Sequence, residues 1–384
     1  MEFGYVNLLE QPPGDPYADL LDELREQAVL CDQGAWDHLW LGEHHFGVSG
    51  RDNTPNPFMV AADLGARTTR LRLGIAVVVL PLWHPLRAAE NIALLDQMLR
   101  GRVEIGLGRA SQPHEVATFN PAADPRNEQG SREVFAESLS VVRKALTEEF
   151  FSHQGKHYQL PPPGVTWASR EGVDESPEWI SDGQVHHLHL VPRPYQQPHP
   201  PLWMAVSTEP SVRVVADLGI KPIVWRQGAR MIKHWVDSYG EVLAEKGRGK
   251  PNPADDWAVL RNIYVAPTMA EARRDYEEVI MGSLRYRAAD PWRALQAHLE
   301  PGEEMTDEMK LDFDFLQNRS MLCGTPDFVA DKLAELESTT GIQTLLAGVG
   351  TYGLAHKKLM RCLDLFTDRV IPEVRKASAP AASV

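Results

Sequence analysis

Apolar positions along this chain fall into two alternating rhythms. Phe3 to Leu8 is a short apolar run of strand length. Asp19 to Gln33 then carries Leu20, Leu21, Leu24, Ala28 and Val29 at helical spacing and closes at Gly34. The pattern repeats: Asp37 to Gly42 predicts a strand and Pro57 to Arg67 a helix. Leu71 to Leu80 is a third strand whose apolar residues hardly alternate, as expected of a parallel strand covered on both faces. Leu86 to Leu99 follows as a helix, Arg102 to Leu107 as a strand, and Ser131 to Phe150 as a long helix.

Regularity breaks over about 152–200, a stretch rich in Pro, His and Gly from Gln154 onward; we read it as an insertion on a rim, with a hairpin through Val185 to Leu190. Alternation then resumes. Strands are predicted at Leu202 to Val206, Pro222 to Trp225 and Ala258 to Val265, with helices at Pro210 to Leu218, Arg230 to Glu245 and Thr268 to Ile280. A second, less regular insertion covers about 281–322. Thr325-Pro326-Asp327 supplies an N-cap, a first-turn proline and an acid at the positive end of a helix running to about Glu337. Gln343 to Val349 is the last strand and Leu354 to Val374 the closing helix, before a flexible tail at 377–384.

Eight strand-then-helix units predict a (β/α)8 TIM barrel over residues 1–376, with both insertions on the catalytic rim. An open doubly wound sheet is the competing topology. Composition leaves this picture in place: 43% hydrophobic and 24% charged residues are ordinary for a globular protein. The longest apolar stretch, Ile75 to Leu82, is too short to span a membrane, and the first residues lack the basic-then-apolar pattern of a signal peptide, so the expected location is the cytoplasm. A net charge of −14 with no basic stripe argues against a nucleic-acid partner. Cys31, Cys323 and Cys362 are widely spaced and odd in number, against disulfides or a thiolate metal site.

Barrels place their chemistry at the C-terminal ends of strands, so the residues there are the candidates. Glu43-His44-His45 leaves the second strand, and a neutral imidazole handles protons near pH 7. The residue types also suit a metal, but neighbours in an extended chain point to opposite faces, which keeps His44 and His45 from one ion. One capping and one core histidine is the plain alternative. The other histidine cluster, His186, His187 and His189, lies in the first insertion and is expected to be solvated.

Gly106-Leu107-Gly108-Arg109-Ala110-Ser111 follows the fourth strand. It lacks the last glycine of a dinucleotide fingerprint, and no helix is expected to open after it. Two glycines instead allow a close backbone approach to a ligand, and the planar fork of Arg109 suits a phosphate. After the fifth strand, Ser207, Thr208 and Ser211 stand at a helix start. Each hydroxyl alone is explained by capping, while together with Arg109 they outline an anion site. The strand Gly74 to Pro81 is core, except that Ala76 at its lumen end leaves room for a flat ring.

These segments resemble the bacterial luciferase-like flavin monooxygenase family. WLGEHHF (Trp40 to Phe46), the long run Gly74 to Arg109, GKHYQL, PRPYQQPHPPLWMAVS, GTPDFVADKL and FTDRVIPEV occur in family order over nearly the whole chain. The resemblance implies a homodimeric two-component monooxygenase. It would take reduced FMN from a separate flavin reductase, form a C4a-peroxyflavin with O2 and oxygenate a small organic substrate. It further implies that His44 is catalytic with His45 and Glu43 beside it, that Arg109, Ser207, Thr208 and Ser211 hold the flavin phosphate, and that Ala76-Val77 is a non-prolyl cis peptide beneath the ring. Leu107 and Gly108 stand where luciferases proper carry a reactive cysteine. The 281–322 insertion stands where they have a mobile loop, and its Trp292, Met305 and Phe313 are candidate pocket residues. Alternatives are an F420-dependent hydride-transferring oxidoreductase on the same fold, a non-catalytic flavin-binding protein and a metal-dependent barrel hydrolase.

Overall fold

The computed structural model describes all residues except 48, 52, 110–111, 168–175, 177, 288–289, 351 and 379–384. Ser111 and most of the predicted tail lie outside the described residues. The barrel strands are β1 (Glu2–Asn7), β2 (His38–Leu41), β3 (Arg72–Val79), β4 (Val103–Gly108), β5 (Leu202–Val206), β6 (Lys221–Trp225), β7 (Ala258–Val265) and, after a short β8 (Met321–Gly324), β9 (Thr344–Gly348). All pair in parallel. Pairing runs from β1 through β2, β3, β4, β5, β6 and β7 to β9 and back to β1, so the sheet closes on itself. The closed barrel replaces the open-sheet alternative.

β8 was not foreseen. It pairs with the C-terminal half of β7, Asn262↔Met321 to Val265↔Gly324, and begins at the end of what the sequence suggests is insertion. Three other boundaries also differ from expectation. The helix after β7 runs from Met269 to Arg287, well past Ile280, because Ser283 and Leu284 are still buried. The hairpin in the first insertion joins Ile180–Ser181 to Gln184–Val185, turning at Asp182-Gly183, where both residues have positive φ. The closing helix is interrupted by a π-turn at Phe366–Val370. There Phe366 stacks on Trp36 at 4.9 Å, and Thr367 Oγ1 accepts the Trp36 indole N–H at 2.8 Å.

The helices form where their apolar stripes meet the sheet. In α1 (Tyr17–Gln33), Leu20, Leu24, Gln27, Ala28 and Cys31 form the buried face. Gln27 is tolerated there because its Oε1 accepts from Tyr5 Oη and Asn7 Nδ2, both at 2.8 Å. Gly34 ends this helix with extended backbone, and a side chain there would meet Thr367 Cγ2 at 2.8 Å.

Inside the barrel the layers differ in chemistry. At the N-terminal end, Glu104 accepts from Arg72 Nε at 2.7 Å and from Trp203 Nε1 at 2.6 Å, while His38 lies between Glu104 (3.4 Å) and Glu2 (3.2 Å). Above this ionic floor, Trp40 and Trp203 meet edge-to-face at 6.0 Å, packed with Val6, Ile223, Ala258 and Leu346. One step further, alternate residues of the same strands are Ala76, Gly106, Ala205 and Gly348. Ala205 is exposed despite lying within a barrel strand. Small residues above a tryptophan floor leave a recess at the C-terminal mouth.

Candidate active site

The end of β2 is held from two sides. Glu43 is turned inward, 2% exposed. Its carboxylate accepts from Val79 N at 2.6 Å, Trp83 Nε1 at 2.8 Å and His45 Nε2 at 3.1 Å. It therefore ties the segment after β2 to the end of β3. His44 goes the other way. Its main-chain N–H donates to Thr54 O at 3.1 Å, and its Nδ1 lies 3.2 Å from Glu115 Oε1. The same carboxylate oxygen accepts from His45 N at 2.9 Å.

Burial pushes the Glu115 carboxyl up, but the hydrogen bonds from His44 and the His45 main chain, reinforced by both imidazoles, outweigh it and leave the group below the usual carboxylate range. An ionised carboxylate can only accept, so Nδ1 of His44 is the donor in this contact. The two histidines thus serve different carboxylates, as the strand geometry anticipates, and among the described residues no three metal-ligating side chains converge.

Glu115 is the site residue that sequence reasoning missed. A helix does open after the Gly106–Ser111 run, at Pro113–Phe119, with Glu115 in its first turn. The signal was a first-turn proline two residues ahead of an acid. This short helix also brings Phe119 against the His45 ring at 4.8 Å and stacks it on Phe46 at 5.3 Å. Phe46, at φ +60, is more than half exposed. His44, Phe46 and Tyr17 line a groove of about 560 Å³ on this side of the mouth.

On the neighbouring strand, next to Gly42, the Ala76-Val77 peptide is cis, and the β3–β4 register shifts between Ile75 and Val78. The glycines of β4 answer this irregularity. A Cβ at Gly106 would lie 2.5 Å from Ile75 O, and one at Gly108 would lie 2.2 Å from Val77 Cγ2. They admit β3 itself, a correction to the expectation that they admit a ligand.

Arg109 follows β4 directly, half-buried, with no hydrogen bond or ion pair among the described residues. Leu107 pairs with Met204, so Arg109 comes out near Ser207, where the next helix, α2 (Glu209–Leu218), begins. Thr208 and Ser211 form a reciprocal capping box, and the N–H groups of Ser207 and Thr208 reach Ser211 Oγ at 3.3 and 3.2 Å. The Glu209 carboxylate is drawn away to Ser238. Capping explains each hydroxyl, and an exposed helix start beside an unpaired guanidinium fits a phosphate. Ala76 and Val77 are partly exposed and Ala205 is exposed, so the strand ends leave room for the flat ring that such a phosphate would anchor.

Phe313 is core, with the Arg273 guanidinium 4.9 Å above it, and Trp292 is exposed. All three cysteines are buried and unpaired, and burial pushes the thiols of Cys323 and Cys362 up to about 12. In the first insertion His186 and His189 are exposed, while His187 is partly buried.

Comparison with known proteins identifies the fold and the family. The chain is 28% identical over 363 residues to the oxygenase component of flavin-dependent trigonelline monooxygenase from Acinetobacter baylyi, covering 92% of this chain and 89% of that one. Its fold matches the oxygenating constituent of 3,6-diketocamphane monooxygenase from Pseudomonas putida, a type II Baeyer–Villiger monooxygenase solved in complex with FMN. That match has TM-score 0.76 and 23% identity, covering 97% and 98% of the two chains. The fold is shared too by a coenzyme F420-dependent tetrahydromethanopterin reductase from Methanopyrus kandleri, with TM-score 0.68 and 18% identity over 97% and 99%. A family model described as luciferase-like monooxygenase matches residues 1–343, and the chain belongs to that family.

Proposed function

We propose that the protein is the oxygenating component of a two-component system that uses reduced FMN, delivered by a separate reductase, and O2 to oxygenate a small organic molecule. The observation that carries this reading is His44, oriented by the buried Glu115 carboxylate, on the strand end next to the cis Ala76-Val77 peptide. Reduced flavin, when bound, supplies the electrons that activate O2.

The chain's own groups do the rest. Arg109 and the start of α2 hold the phosphate. Glu43 and His45 fix the strand end from which His44 projects. His44 takes up or returns a proton at Nε2, the ring nitrogen that does not face Glu115.

The test is turnover with FMN, a flavin reductase and NADH under 18O2. Incorporation of one labelled oxygen into product supports the proposal. Substrate-dependent oxidation or reduction with F420 and none with FMN would replace it by hydride transfer.

A further inference from the structure

A second group of cations stands on the other side of the mouth, and the phosphate site does not account for it. Arg226 follows β6 immediately, in left-handed backbone at φ +78. The guanidinium stacks on Trp225 at 4.3 Å, and its Nε is sealed from solvent without a hydrogen-bond partner. No carboxylate pairs with it among the described residues. Gln227, 3% exposed, likewise has a buried Oε1 with no partner.

The surroundings deepen the deficit. Burial, and then repulsion from Arg287, lowers the Arg226 pKa. Arg51, whose Nη1 is also buried and unpartnered, is sandwiched between Tyr286 (4.9 Å) and Tyr352 (4.1 Å). Glu10, the carboxylate that meets Arg287, also accepts from Tyr352 N at 2.7 Å. His298, whose Nδ1 meets Ser320 Oγ at 2.9 Å, lies against the Arg226 main chain.

A desolvated guanidinium with an unmade hydrogen bond is costly, and stacking on one face of a ring recovers only part of that cost. Among the described residues no carboxylate makes up this deficit, which leaves the position open to an anion from outside. The neighbours of Arg226 come from the segment between β7 and β8, and those of Arg51 from that segment and the loop after β9. The phosphate site belongs instead to β4 and β5.

We infer that Arg226 is the centre of a substrate-recognition subsite and that this enzyme's substrates are small organic anions, with a carboxylate as the fitting group. Only the word substrate rests on the oxygenase reading; the subsite itself stands on the geometry. Benzoate carries one carboxylate and no other charge, so it is a suitable probe and benzamide its neutral counterpart.

The test is calorimetric titration of the full chain, with and without FMN. Benzoate is expected to bind at least tenfold more tightly than benzamide. Arg226→Gln should reduce benzoate to the benzamide level, leave FMN affinity within twofold and leave the melting temperature unlowered. Arg109→Gln should do the reverse, weakening FMN and sparing benzoate. Equal binding of the two probes by the natural chain overturns the inference, as does loss of FMN affinity in Arg226→Gln or a large fall in its melting temperature. Because no turnover is read, carboxylate selectivity without oxygen incorporation would sink the oxygenase reading and leave the subsite standing.

Discussion

The imidazole of His44 meets the carboxylate of Glu115 at 3.2 Å across a sequence separation of 71 residues, and that contact sets the orientation of the ring. His44→Ala should lower turnover by roughly 100- to 10,000-fold, the usual worth of a positioned acid–base group, with FMN affinity kept. Glu115→Gln should give a smaller loss, and the double variant should be no worse than His44→Ala, because the two act as one unit. Steady-state oxygen incorporation checks this; additive losses would separate the pair.

Arg109→Gln removes a charge-assisted contact worth roughly 1.5–3 kcal/mol. FMN should bind about tenfold to a hundredfold more weakly, while riboflavin, which has no phosphate, should bind as it does to the natural chain. Fluorescence titration with both flavins measures the difference.

Gly106→Ala forces a methyl group to 2.5 Å from Ile75 O, a backbone atom that cannot swing aside. We expect a loss of roughly 1–3 kcal/mol in denaturant stability, as for other overpacked sites, together with weaker flavin binding from the displaced Ala76-Val77 segment. Full stability in this variant would contradict the packing role given to the glycine.

Burial, assisted by Arg226, Arg261 and Arg319, pushes the His298 pKa from 6.5 down to about 4. The unfolded chain therefore binds a proton between those two values that the folded chain refuses. Stability is full above about pH 6.5 and falls as the pH drops toward 4, by an amount on the order of 2 kcal/mol. Melting curves at pH 7 and pH 5 should show a smaller drop for His298→Asn than for the natural chain.

The barrel was legible because its strands are regular: Leu202 to Val206 and Ala258 to Val265 are observed with the predicted ends. β8 was not, since four apolar residues after an irregular segment carry no periodicity. His44 was visible as an ionisable residue leaving a buried strand. Its partner was hidden, because nothing local to Glu115 indicates which strand end it faces. Arg226 was hidden for a different reason. What marks it is a missing contact, and a missing contact exists only once the chain is folded. The lumen pairs Arg72–Glu104 and His38–Glu2 escape notice likewise, each half lying on a different strand.

The ionic floor and the two tryptophans above it make the barrel a cul-de-sac. Whatever reaches the strand ends above Ala76-Val77 enters through the mouth and leaves the same way. A fold closed at the bottom thereby imposes a single route of approach that no individual side chain encodes.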